Sequence, residues 1–142
     1  MKKLIPILFV LLLFTDCEES NSKPSSLSEE SAKELIENTL ISLENYPEKG
    51  YESYFNETII AAPEFNTLMP QLIQEWNLNN PGNVEISEVK NGTEEKNNQR
   101  ISLVIGTFQC KESDHVSDFN FTFIYDESSG KWEIIDFKFE GC

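Results

Sequence analysis

The last third of the chain carries the tightest constraint on the fold. Residues 99–110, 117–126 and 131–140 each alternate apolar with polar or compact side chains, and a two-residue period places one set on each face of a half-buried strand. Ile101, Leu103 and Ile105 alternate with Ser102 and Gly106, while Phe119, Phe121, Phe123 and Tyr125 alternate with Asp118, Asn120 and Thr122. The connector at 126–130, Asp-Glu-Ser-Ser-Gly, has the length and chemistry of a hairpin turn. In the final run Trp132 and Ile134 fall on one face and Ile135, Phe137 and Phe139 on the other. Either both faces are covered there or a bulge shifts the register.

A fourth strand is expected ahead of these, over residues 83–90, with Val84, Ile86 and Val89 as its apolar positions. Its pattern slips between Ile86 and Val89, which marks a bulge or an edge position. Asn91-Gly92 then opens a polar hairpin loop that runs to residue 98.

The preceding sequence has a helical period instead. Ser26 with Glu29 fits a capping box, Ser28 offers a second N-cap, and Glu29 and Glu30 suit the positive end of a helix dipole. Ala32, Leu35, Ile36, Thr39, Leu40 and Leu43 follow at three- and four-residue intervals, forming one buried stripe. Pro47 ends this helix near Asn45, because the residue before a proline disfavours the helical conformation. A second, shorter helix is expected over 51–57, with Tyr51, Tyr54 and Phe55 sharing a face; residues 58–62 receive no assignment. Pro63 opens a third helix at its first position, and Phe65, Leu68, Met69, Leu72, Ile73 and Trp76 give its stripe. Pro70 lies inside that pattern and must kink the helix or mark a restart; Asn-Asn-Pro-Gly at 79–82 ends it. The expected fold is therefore α+β, about three N-terminal helices packed on a curved four-stranded antiparallel meander, with residues 27–142 as a single domain.

The first residues are of a different kind. Lys2 and Lys3 precede an unbroken apolar run at 4–14, too short to span a bilayer comfortably, followed by Thr15-Asp16-Cys17 and a polar tract. A cysteine just past such a run resembles a bacterial lipoprotein signal, with Asp16 where Gly, Ala or Ser usually stands and Phe14 where Leu does. The resemblance implies that residues 1–16 are an export signal and that Cys17 carries lipid. Residues 17–26 would be a tether lacking anything to bury, and the protein would sit in a bacterial cell envelope, held to the bilayer through its acyl anchor. Three cysteines in an exported chain leave one unmatched. With Cys17 lipidated, Cys110 and Cys142 remain as a pair suited to an oxidising compartment.

Removal of residues 1–16 takes away two lysines and one aspartate, leaving 9 basic and 24 acidic side chains and a net charge of −15. That balance argues against nucleic acid or an anionic membrane surface as a partner. Catalytic chemistry has little to draw on. The single histidine, His115, lies in a loop with Glu112 and Asp114; no zinc-type spacing, nucleophile elbow or phosphate-binding glycine pattern accompanies it. Glu112, Asp114 and Asp118 offer carboxylates for a hard cation, but no glycine supplies the turn of a calcium loop. No catalytic residue, metal ligand or cofactor is assigned. The aromatic residues are foremost core, and Tyr51, Tyr54, Trp76, Phe121 and Tyr125 are the candidates to line an apolar pocket between helices and sheet.

Helices followed by a meander ending in Gly-Lys-Trp-x-Ile-x-x-Phe, residues 130–137, resemble the cone-shaped α+β superfamily. It includes nuclear transport factor 2, ketosteroid isomerase, polyketide cyclases and many small bacterial lipoproteins; cystatin-like domains have a similar order. The resemblance implies a pocket inside the cone, but fold alone does not carry an activity, and no residue matches a catalytic position of the family. The expected role is a binding or interaction module for an unknown protein or a small apolar ligand. An isomerase- or cyclase-like enzyme and a small acidic inhibitor or immunity protein are the alternatives.

Overall fold

The computed structural model describes residues 26–48, 50–76 and 83–140. The signal at 1–16, Cys17 and its tether, the turn at 79–82 and Cys142 lie outside the described residues.

Helix α1 spans Glu29–Leu43. Ser28 is its N-cap, its hydroxyl oxygen accepting from the Ser31 N–H at 3.1 Å, so of the two expected caps the later one forms. Ala32, Ile36, Thr39, Leu40 and Leu43 are its buried face. The expected second helix is shorter and displaced: a single 3-10 turn, Glu52–Tyr54, precedes α2, Glu57–Ile60, which begins where the short helix was expected to end. Asn56 separates the two, because its side chain caps α2 through the Thr58 N–H at 3.2 Å. Helix α3, Pro63–Glu75, runs through Pro70, which points to solvent.

The sheet is an antiparallel meander in the order β1-β2-β3-β4, with strands Val84–Glu94, Gln99–Gln109, Val116–Asp126 and Lys131–Phe139. The chain is thus α+β. The slip expected in β1 is a bulge between Ile86 and Glu88. The strand nevertheless continues four residues past its expected end at Lys90, pairing Asn91 with Ser102 and Gly92 with Ile101. In β4 the ambiguity at Ile134-Ile135 resolves as a bulge. Phe123 pairs with Ile134 and Thr122 with Asp136, so Ile135 is the extra residue. Beyond it Phe137 and Phe139 pair with Phe121 and Phe119 and return to the face of Trp132 and Ile134.

One sheet face holds the core. Along β2 every second residue from Ser102 to Cys110 is buried, and along β3 so are Ser117, Phe119, Phe121, Phe123 and Tyr125. Trp76, the C-cap of α3, lies on this face with its ring centroid 4.5 Å from that of Phe108 and 6.0 Å from that of Phe121. A backbone bridge between Trp76 and Cys110, with the Lys111 N–H donating to the Glu75 carbonyl at 3.0 Å, fixes the end of α3 to the end of β2. At the opposite edge the Asn56 N–H donates to the Ile134 carbonyl at 2.9 Å. The start of α1 is clasped to β1 by Asn91, whose side chain accepts from the Leu27 N–H at 2.8 Å and donates to the Leu27 carbonyl at 3.0 Å.

Candidate functional site

The side chains expected to line a pocket do not gather at one place. Trp76 and Phe121 meet in the core. Tyr51 belongs to a second aromatic cluster, its ring 5.2 Å from Tyr46 and 5.8 Å from Phe65. Tyr125 lies at the far end of β3, 5.3 Å from Trp132, with the Arg100 guanidinium 4.1 Å above its ring. Both tyrosines are buried. Burial is also the main reason that the Tyr51 hydroxyl is pushed above its ordinary value of 10.0, with the neighbouring Glu52 adding to it. These rings fill the space between helices and sheet with their own edges and faces, in the tilted and edge-on geometries that aromatic pairs favour.

Room for a ligand lies instead beside α1. A half-open groove of about 450 Å³ is walled by Leu27, Ser31, Glu34, Leu35 and Asn38 on one side and by Ser53, Tyr54, Lys131 and Trp132 on the other. Such a volume is within the range of small-molecule sites. Residues 31, 34, 35 and 38 share one side of α1, so the groove runs along the helix for roughly 10 Å at 1.5 Å per residue, with Leu27 just ahead of the N-cap. Its floor is apolar: Leu27 and Trp132 are buried, Leu35 and Tyr54 half-buried. Its rim carries Glu34 and Asn38 from α1 and the Lys131 ammonium from the β3–β4 turn, all exposed. Tyr54 is the residue of the expected pocket set that lines it. Trp132 was legible in the sequence as a strand residue, but nothing in its pattern marked it as a groove floor, because the opposite wall comes from residues over 90 positions away.

Among the described residues no Asp or Glu is buried as a whole, although Oε2 of Glu75 is shielded from solvent with no hydrogen-bond partner. Among the described residues the buried polar side chains are Thr39, Ser102 and Ser117. Thr39 donates to the Leu35 carbonyl at 2.7 Å and Ser117 donates to the Glu140 carbonyl. Asp126 is partly exposed, and hydrogen bonds from Ser129 and then Ser128 hold its carboxyl down at about 2, a turn-building arrangement. His115 sits in the β2–β3 connection, its N–H donating to the Ser113 hydroxyl at 2.8 Å and its carbonyl accepting from Cys110 at 2.9 Å. No group of three or more His, Cys, Asp or Glu side chains among the described residues is placed to hold a metal ion. None of the described helices is long and apolar enough to cross a membrane. No family model matches the sequence, and no curated protein matches it.

Proposed function

We propose that the chain is a lipid-anchored cell-envelope protein whose α+β domain binds a small amphipathic ligand in the groove beside α1. The observation that carries this reading is a division of polarity. The interior between helices and sheet is packed with aromatic rings and holds Thr39, Ser102 and Ser117 as its buried polar residues among those described. The groove combines an apolar floor with a cation and hydrogen-bonding groups at its rim. General acid–base chemistry on an apolar substrate calls for a titratable group held inside the pocket. A groove with Leu27, Leu35 and Trp132 below and with Glu34 and Lys131 exposed at the rim favours recognition over such chemistry. Its elongated shape and single rim ammonium suit an apolar body that ends in an anionic head. The helices-then-meander order supports a cone-shaped domain of the nuclear transport factor 2 kind, with the groove at its margin rather than at its centre.

Titration with the anionic fluorophore 1-anilinonaphthalene-8-sulfonate, followed by displacement with laurate, tests this reading. Saturable emission that laurate reverses is expected. Asn38→Phe, an exposed helix position whose new ring would occupy the groove, should weaken both ligands by at least about tenfold, as expected for steric loss of an apolar site. Equal affinity in Asn38→Phe and the natural chain would overturn it.

A further inference from the structure

The sheet face turned away from the core carries a second surface feature, separate from the groove. Ile101, Leu103 and Ile105 alternate along β2 with the buried residues and are half-buried, and Ile124 of β3, also half-buried, pairs directly with Ile101 on the same face. On the β1 side Ile101 is opposite Gly92, where a side chain would meet nothing within 4 Å, so that flank of the ridge is open. The result is a ridge of four branched aliphatic side chains on the central strands of the sheet.

Its surroundings are mainly acidic, with Lys90 and Lys138 sharing the face across from Leu103 and Asn120. Ile105 is opposite Glu88 and Ile124 opposite Glu133, while Leu103 is opposite Lys90, whose ammonium is already paired with Glu88 at 3.1 Å. At the Glu133 end the ridge runs into a hollow of about 470 Å³ whose lining includes four carboxylates, Glu52, Glu57, Asp126 and Glu133. Glu133 is fixed there by the Asn56 amide at 2.9 Å, and Asp126 stays ionised to about pH 2. A second copy of the chain would bring the same acidic rim against this one, and like charges across an interface are costly. A partner of opposite rim charge gains both the apolar contact and the attraction.

We propose that this outer face docks a protein partner presenting an apolar strip flanked by lysine or arginine, one basic side chain of which enters the Glu52–Glu57–Asp126–Glu133 hollow. The mode is side-chain packing on a sheet face and leaves the groove beside α1 free.

The test uses the purified protein with labelled isoleucine and leucine methyl groups and three synthetic peptides of alternating pattern: leucine with lysine, leucine with glutamate, and leucine with serine. The lysine peptide should shift the methyl signals of Ile101, Leu103, Ile105 and Ile124 saturably, while that of Leu35 stays in place. Binding should weaken as salt is raised, and the glutamate peptide should not bind. Leu103→Lys and, separately, Glu57→Lys should each lower affinity by roughly tenfold or more, the loss expected for a central contact or a charge reversal. Both positions are at least partly exposed, and unchanged methyl spectra of the free variants show that they fold. Shifts centred on Leu35, equal binding of the glutamate or serine peptide, or self-association that Leu103→Lys abolishes would each overturn the proposal. None of these outcomes depends on whether laurate enters the groove, so the two readings fail separately.

Discussion

Ser102 and Gly106 lie on the same face of β2 and predict opposite responses to the same replacement. A Cβ at Gly106 would come 2.2 Å from the Glu85 carbonyl oxygen and 2.6 Å from Cζ of Phe119, so β1 or a core ring has to move. Gly106→Ala should cost about 1–3 kcal/mol, the overpacking range, read as a lower denaturant midpoint at unchanged slope. Ser102 is fully buried and its hydroxyl has no hydrogen-bond partner. Ser102→Ala should be neutral or stabilising by up to about 1 kcal/mol, because an unpaired buried hydroxyl is a net cost. Two titrating side chains add pH dependence of opposite sense. Asp126 is lowered from 3.8 to about 2, so its contribution is complete above about pH 4 and is lost as pH falls through 2. The acid-side loss of Tm should therefore be smaller in Asp126→Asn than in the natural chain. Tyr51 is raised above 10.0 by burial, so its contribution is intact below pH 10 and disappears as pH rises further. Tyr51→Phe should flatten the alkaline limb of the same profile, and an unchanged limb would remove Tyr51 as its source.

At the scale of elements, periodicity was legible wherever an element buries one face by its own pattern. The stripe from Ala32 to Leu43 and the phenylalanines of β3 led directly to α1 and to the sheet interior. Elements held by partners distant in sequence were not legible in this way. Asn91-Gly92 has the composition of a turn, yet it is strand, because β2 supplies a continuous partner from Ile101 to Phe108 and the Asn91 amide grips Leu27 across 64 positions. The short helix near 51–57 is displaced for a related reason, since Asn56 is claimed both by the α2 cap and by β4. Asn91→Ala removes both hydrogen bonds to Leu27 and should cost about 1–2 kcal/mol. Hydrogen exchange should show faster opening at the start of α1 while residues 101–108 and 119–125 remain the slowest amides of the chain. Loss of protection in the sheet as well would mean that α1 and the sheet open as one unit.

At the scale of the whole molecule, the two candidate surfaces are on different sides of the sheet, and the proposed covalent features concern its ends. If Cys17 carries lipid, Cys17→Ala should abolish incorporation of labelled fatty acid; equal labelling would refute the anchor. The proposed Cys110–Cys142 bridge is argued from register. Cys110 is buried at the end of β2, its N–H donating to His115 at 2.9 Å, and the Glu140 N–H donates to Asp118 at 2.9 Å. The chain therefore leaves β4 beside the start of β3, at the same end of the sheet as Cys110. Extended in line, the last residues would lie two strands away, about 9–10 Å at 4.8 Å per spacing, whereas a bridge needs Cα atoms within about 7 Å. A bridge would therefore require a fold-back at Gly141, which lies outside the described residues and lacks the Cβ that restricts other residues. The payoff is a closed loop of about 30 residues, worth roughly 3–4 kcal/mol in the chain-entropy account, less any strain. With Cys17 replaced, the unfolded and unreduced protein should show no titratable thiol and should gain two on reduction, and the reduced form should unfold at lower denaturant. Two thiols before reduction would eliminate the bridge and leave the packing around Trp76 to hold that end of the sheet alone.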